Sequence, residues 1–275
     1  MDRLVENIRN ITVNDNNSYH LEDTYKMYLE YLKKLSELEE RKTNYFLRYL
    51  KDNELSNNQE TEFEEPFITG LTKLSQRQNS INTTMKLFEK GFLTKEDIKK
   101  IHRLVIKGSS DDTKNNYEFR MDNEKWVGSF VNGKRDVHYI PPDYKIIDEL
   151  LNQILLYLNE KNYDEHNIFI KPLIVHALLA YVQSFGNGNT RLARVIQHCK
   201  VCTMSNEMLG YNFSTPTFYL SENYLKTRPQ YRELIKKIAA DKDMESWNKW
   251  FNYNLNMIDE QLYFLDNNLT KYRRK

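Results

Sequence analysis

Apolar residues along this chain recur mostly at intervals of three and four, the period of a helix with one buried face. From His20 to about Leu50, HLEDTYKMYLEYLKKLSELEERKTNYFLRYL sets Tyr, Met and Leu at that spacing among alternating charges and predicts one long helix. The polar stretch Lys51 to Glu65 loses the period and reads as a connector. Helical patterns resume over Ile68 to Lys90 and again from Thr94, where Thr-Lys-Glu-Asp supplies a cap and Gly108 an end. Asp143 to Asn159 predicts a further amphipathic helix. Phe169 to Phe185, FIKPLIVHALLAYVQSF, is apolar on nearly every face and belongs in the core.

The pattern changes at Lys125. KWVGSFV and KRDVHYI flank Asn132-Gly133, the dipeptide best suited to a two-residue hairpin turn, and Pro141-Pro142 closes the second strand. An isolated hairpin is marginal, so this one either packs on the helices or offers an edge to another chain. A plain connector and a docking role both fit. The expected fold class is mainly α, with one β-hairpin flap and an N-terminal helical extension. The expected division is 1–62 for the extension, 63–265 for the principal domain with its closing helices, and 266–275 for a basic tail.

Composition agrees with a helical chain: of 275 residues only 8 are Gly and 6 Pro, whereas 19 are Tyr. Lys and Arg number 40 against 39 Asp and Glu, so no general attraction to nucleic acid or anionic membrane follows and any polyanion binding is local. No stretch approaches the roughly 18 uninterrupted apolar residues of a membrane span, and the N-terminus lacks the apolar core of a secretion signal. The expected location is cytoplasmic, with delivery to another cell left open. Cys199 and Cys202 lie within a helical pattern without a second cysteine pair, and read as structural. His102 and His176 read as packed histidines.

The candidate chemistry lies at Gln183 to Arg194, QSFGNGNTRLAR. Gly186 and Gly188 permit close backbone approaches, and a new helix capped by Asn189 or Thr190 directs its free N–H groups and dipole at the loop. Arg191 and Arg194 share the first turn and suit a di- or triphosphate. An ordinary helical corner with arginines paired to carboxylates is the bland alternative.

This segment resembles a degenerate Fic motif, HPFx(D/E)GNGRxxR, with Phe185, Gly188, Asn189, Arg191 and Arg194 in register. Glu118 to Arg120, the Trp126-Val127-Gly128 strand, HYIPP, and downstream PTFYLSENYLKTRPQYRELI and WNKWF follow in the order of Fic proteins, over residues 63–265. The resemblance implies a Fic-type helical domain. It implies AMP transfer from ATP to a protein hydroxyl, with the motif His as base, the acidic residue holding Mg²⁺, and loop and arginines binding phosphate. Here Gln183 stands at the base, Ser184 at the Pro, Asn187 at the acid and Thr190 at the second Gly.

In that register Gln183, Asn187 and Arg191 are the catalytic positions, Asn187 a weakened metal ligand, and Phe185, Gly186, Gly188, Asn189, Thr190, Arg191 and Arg194 the nucleotide-binding set. A carboxamide accepts no proton near neutrality, so ordinary AMPylation is expected to be weak or lost by about 10²- to 10⁴-fold. The stretch from Ser75 aligns with the family's inhibitory helix and puts Asn79 at its Glu; a plain polar helix fits as well. Val127, Gly128, His138 and Tyr139 correspond to a target-docking flap. ATP is the expected ligand, with Mg²⁺ binding weakened. A protein target or regulatory partner is expected at the flap, and the oligomeric state is not legible. The alternatives are a transferase working without the His, and a non-catalytic partner-binding regulator.

Overall fold

The computed structural model describes residues 8–57, 70–161, 164–165, 167–241 and 243–273. Its elements in order are α1 (Asp15–Ser36), α2 (Glu40–Asn57), α3 (Gly70–Glu89), α4 (Lys95–Ile106), β1 (Val127–Val131), β2 (Lys134–Tyr139), α5 (Ile147–Asn159), α6 (Asn167–Val182), α7 (Asn189–Leu209), α8 (Ser221–Lys226), α9 (Arg228–Asp241) and α10 (Met244–Arg273). The mainly helical class with one hairpin is therefore what forms.

Every residue of α6 from Ile168 to Val182 is buried, as its unbroken apolar run requires. It packs along α7, and α3 and α4 pack on α7 in turn. Thr94 opens α4 with a complete capping box: its hydroxyl accepts from the Asp97 N–H at 3.2 Å, and the Asp97 carboxylate accepts from the Thr94 N–H at 3.0 Å. That reciprocal pair fixes the start of a helix whose far end lies beneath the loop.

The single helix expected over His20 to Leu50 is instead two, broken at Glu37–Glu39. Glu37 ends α1, its N–H reaching Lys33 O at 3.1 Å, and the Thr43 hydroxyl donates to Leu35 O at 3.2 Å. The break lets α1 pack on α10 while α2 packs on α3 and α8. Period alone cannot reveal it, because both pieces keep an apolar face.

The N-terminal helix α1 packs directly against the principal domain. The Tyr28 hydroxyl bonds Ser205 Oγ at 2.9 Å and Thr217 Oγ1 at 3.0 Å, and its ring meets Phe169 and Phe218 edge-on. The expected boundary at 62/63 lies outside the described residues. At the other end, the stretch expected as a tail continues α10 to Arg273, with Leu269 buried and Lys34 Nζ donating to the Asp266 carboxylate at 2.7 Å.

The hairpin is antiparallel, pairing Val131 with Lys134 through Gly128 with Val137. Asn132 and Gly133 sit at φ 50° and 75°, both left-handed, as a type I′ turn demands. A Cβ on Gly128 would lie 2.0 Å from Asp136 O, so no other residue fits there. The Tyr139 hydroxyl donates to Ala180 O at 2.7 Å, and β2 packs on α9. The hairpin is thus moored to the end of α6, beside the loop.

Both cysteines are buried in α7, Cys202 donating its S–H to Thr215 O at 3.3 Å. Among the described residues, no helix is long and apolar enough to cross a membrane.

Candidate functional site

α6 ends at Val182, and the chain turns at Gln183, a non-glycine residue at φ 47°. It turns again at Gly188, φ 82°, which is the N-cap of α7. The expected caps, Asn189 and Thr190, are already inside the helix. Asn189 is drawn inward instead: its Oδ1 accepts from the Phe185 N–H at 2.9 Å, while its Nδ2 donates to Phe185 O at 2.9 Å and Gln183 Oε1 at 3.0 Å. This leaves the first turn of α7 without a side-chain cap, and such N–H groups at a helix start favour an anion.

Gly188 is required by space as well as by its angle. A Cβ there would lie 2.5 Å from Ile106 Cγ2 and 3.0 Å from His102 Nε2. The loop therefore rests directly on the end of α4. His102 Nε2–H donates to Asn187 O at 2.7 Å, and its ring stacks on Phe185 at 3.6 Å between centroids. Burial, reinforced by Arg191 and Arg103, lowers the pKa of His102 to about 4, so the imidazole is neutral at pH 7. Asn116 holds the other side, its Oδ1 accepting from the Asn187 N–H at 3.0 Å.

The two arginines part company. Arg191 is buried and ion-paired with Asp111, close to the side of Gly188 that faces Ile106 and His102. Arg194 lines the cavity in front of the loop. The expectation of two arginines converging on one ligand thus meets a division of labour, with Arg191 tying the loop to the segment after α4.

Gln183 is held at both ends. Its Nε2 donates to Ala180 O at 2.6 Å, its Oε1 accepts from Asn189, and its own carbonyl accepts from Arg120 Nε at 2.8 Å. The Arg120 N–H also donates to Ser184 O at 2.9 Å. Three buried polar atoms of the described residues lack a protein partner: Ser184 Oγ, Arg191 Nε and His102 Nδ1. All belong to the loop, the first turn of α7 or the residue beneath them, so the unpartnered buried polar atoms of the described residues gather at this one place.

The loop forms one wall of a cavity of about 550 Å³. Gln183, Gly186, Asn187, Gly188, Asn189, Thr190 and Arg194 line it, joined by Val127, Gly128 and Tyr139 of the flap. Lys125, Arg228 and Arg232 line it too, and Glu124 is the one acid among its lining residues. A cavity with four cationic side chains, a helix N-terminus and an aromatic wall from Tyr224 and Tyr231 suits a ligand with an anionic end and a flat or apolar one. Phe185, by contrast, is fully buried under the loop and serves packing.

Lys125, two residues before β1, reaches the loop directly. Its ammonium donates to Gly186 O and, at 3.1 Å, to Asn187 Oδ1. Those oxygens are what a divalent cation at Asn187 would need. Among the described residues no group of three His, Cys, Asp or Glu is placed to hold a metal. A neutral amide, a carbonyl and an ammonium are a poor fit to Mg²⁺, which is usually held by one or two carboxylates together with substrate phosphates and is repelled by a nearby cation.

Of the other expected positions, His138 lies 3.5 Å from Asp136, and Asn79 is exposed on α3 beside buried Ser80. The side chain of Ser75 lies outside the described residues. His176 is a core residue, bonded to Gln197 and, at 3.0 Å, to the Tyr231 hydroxyl. Sequence reading gave no site role to Lys125, Arg120, Asp111 or Asn116; its reading of His102 as a packed histidine holds, but it did not place that residue under the loop. The single available signal was that His102 falls on the buried face of α4, between Ile98 and Ile106.

Residues 92–199 match the Fic/DOC family, from the turn between α3 and α4 to the middle of α7. Solved structures that share the fold include the following three. A Fic family protein from Desulfovibrio desulfuricans G20 is 14% identical, with a TM-score of 0.63, over 94% of this chain and 76% of that one. A Fic domain containing signaling protein from Bacteroides thetaiotaomicron VPI-5482 is 12% identical, with a TM-score of 0.62, over 92% and 97%. Fic-1 from C. elegans is 15% identical, with a TM-score of 0.58, over 93% and 73%.

Proposed function

We propose, from the match of residues 92–199 to the Fic/DOC family, that this chain binds a nucleotide, ATP in the first instance, by its phosphates at the Gly188 loop and does not carry out ordinary AMP transfer. The carrying observation is the state of Gln183. In the family's register this is the place of the base, yet both ends of its side chain are engaged, Nε2 by Ala180 and Oε1 by Asn189. A carboxamide so held neither accepts a proton nor swings out to meet a hydroxyl.

The binding half of the site is supported by what remains around it. The uncapped start of α7, Arg194 and the cationic lining of the cavity suit phosphates, and Tyr224 and Tyr231 offer a wall for a base. The flap supports a second role. Lys134 to Val137 are exposed on β2, and a two-stranded hairpin keeps outer edges on which an extended segment of a protein partner can pair.

The test is direct. ATP should raise the melting temperature of the full chain, by an amount equivalent to about 2.7 kcal/mol at a hundredfold excess over Kd, and Arg194→Ala should abolish most of that rise. α-Labelled ATP should leave no label on the chain or on added proteins. The binding reading fails if ATP produces no stabilisation; label transferred by the unmodified chain would establish a transferase instead.

A further inference from the structure

The contact between Lys125 and the loop carries a second conclusion, which rests on the phosphate-binding reading. We propose that the Lys125 ammonium is the resident cation of this site, so that an anionic phosphate ligand is held without a divalent metal. Three observations converge. First, Asn187 presents a neutral amide oxygen to the cavity, and that oxygen already accepts from Lys125 at 3.1 Å. Second, the same ammonium takes the Gly186 carbonyl, so it bridges two consecutive residues of the loop from outside. Third, Lys125 lines the same cavity as Arg194 and the start of α7, which puts its charge on the ligand side of the loop, unlike that of Arg191.

The position follows from the fold. Lys125 lies two residues before β1, and β1 is registered by the bulge at Val127/Gly128 and by Gly128, where no side chain is tolerated. The hairpin is moored to α6 through Tyr139. A flap fixed in this way delivers one side chain to the loop at a set height. An ammonium is a compact point charge that is satisfied by neutral acceptor oxygens, whereas protein sites for Mg²⁺ usually add one or two carboxylates. With an amide at Asn187 and the Lys125 ammonium bonded to it, the positive charge offered to a phosphate comes from the chain itself.

The experiment measures ATP binding to the full chain by calorimetry in excess EDTA and in excess Mg²⁺. Affinity for ATP should be as high in EDTA as in Mg²⁺. Lys125→Met should weaken binding in EDTA by about ten- to a hundredfold, the loss of a charge-assisted contact to phosphate. The double variant Lys125→Met with Asn187→Asp should bind ATP only when Mg²⁺ is added, because a carboxylate then stands where the ammonium was. A wild-type chain that binds ATP in Mg²⁺ and not in EDTA overturns the inference and leaves the nucleotide-binding reading intact. Lys125→Met binding as tightly as wild type in EDTA overturns it too. No binding by the wild type in either buffer defeats the nucleotide-binding reading itself.

Discussion

Acid should loosen the loop through His102. The neutral imidazole donates from Nε2 to Asn187 O, leaving Nδ1 buried without a protein partner. Protonation would place a second N–H where no acceptor is available and a charge where water is excluded, which is why burial depresses the pKa from 6.5 to about 4. The sign follows from linkage. Between those values the unfolded chain holds the extra proton, so the folded state loses stability as pH falls from 6.5 toward 4. At about 1.4 kcal/mol per pH unit, the loss attributable to this group between pH 7 and 4.5 is about 2.5 kcal/mol.

His102→Phe keeps a ring to stack on Phe185 and removes the titration. Losing the bond to Asn187 O should cost about 1 kcal/mol at pH 7. Urea unfolding of both proteins at pH 7 and 4.5 isolates the effect, since the carboxylates they share cancel. Wild type should lose about 2.5 kcal/mol more than the variant over that interval. Parallel loss in the two proteins would refute the argument.

Two further substitutions test the packing around the same elements. Gly188→Ala forces a left-handed angle on alanine and drives a Cβ to 2.5 Å from Ile106, so thermal unfolding should show a loss of about 2–4 kcal/mol together with loss of stabilisation by ATP; an unchanged melting temperature would contradict the close fit of loop on α4. Lys200, 4% exposed in α7, has its pKa lowered to about 8, chiefly by burial and then by Lys171. Because the folded pKa lies below the unfolded one, the penalty is full below pH 8 and fades as pH rises toward 10.5. Lys200→Met should therefore stabilise the chain by about 1–3 kcal/mol at pH 7, a gain that shrinks at pH 10 in urea titrations; a pH-independent difference would count against it.

Local chemistry was legible in the sequence where it is carried by neighbours along the chain. The Asn132-Gly133 turn, the capping of α4 by Thr94, the all-apolar α6 and the glycines of the loop follow from backbone angles and periodicity. Those depend on a handful of adjacent residues. The helix break at Glu37–Glu39 was not legible, because α1 and α2 both continue the period and only their different packing partners separate them. The cap of α7 fell to Gly188 because Asn189 found three better bonds inside the loop.

By itself, then, the sequence determined a mainly helical chain with one hairpin, a glycine-containing loop between two helices and an amide at Gln183 that takes no proton. Tertiary structure decided which charges face the cavity. Arg191 and Arg194 share a helical turn, yet Asp111, 80 residues earlier, claims the first and leaves the second at the cavity. Lys125 meets Asn187 across 62 residues, and His102 across 85. Partnerships at such separations are set by how the helices and flap pack, and spacing along the chain holds no record of them.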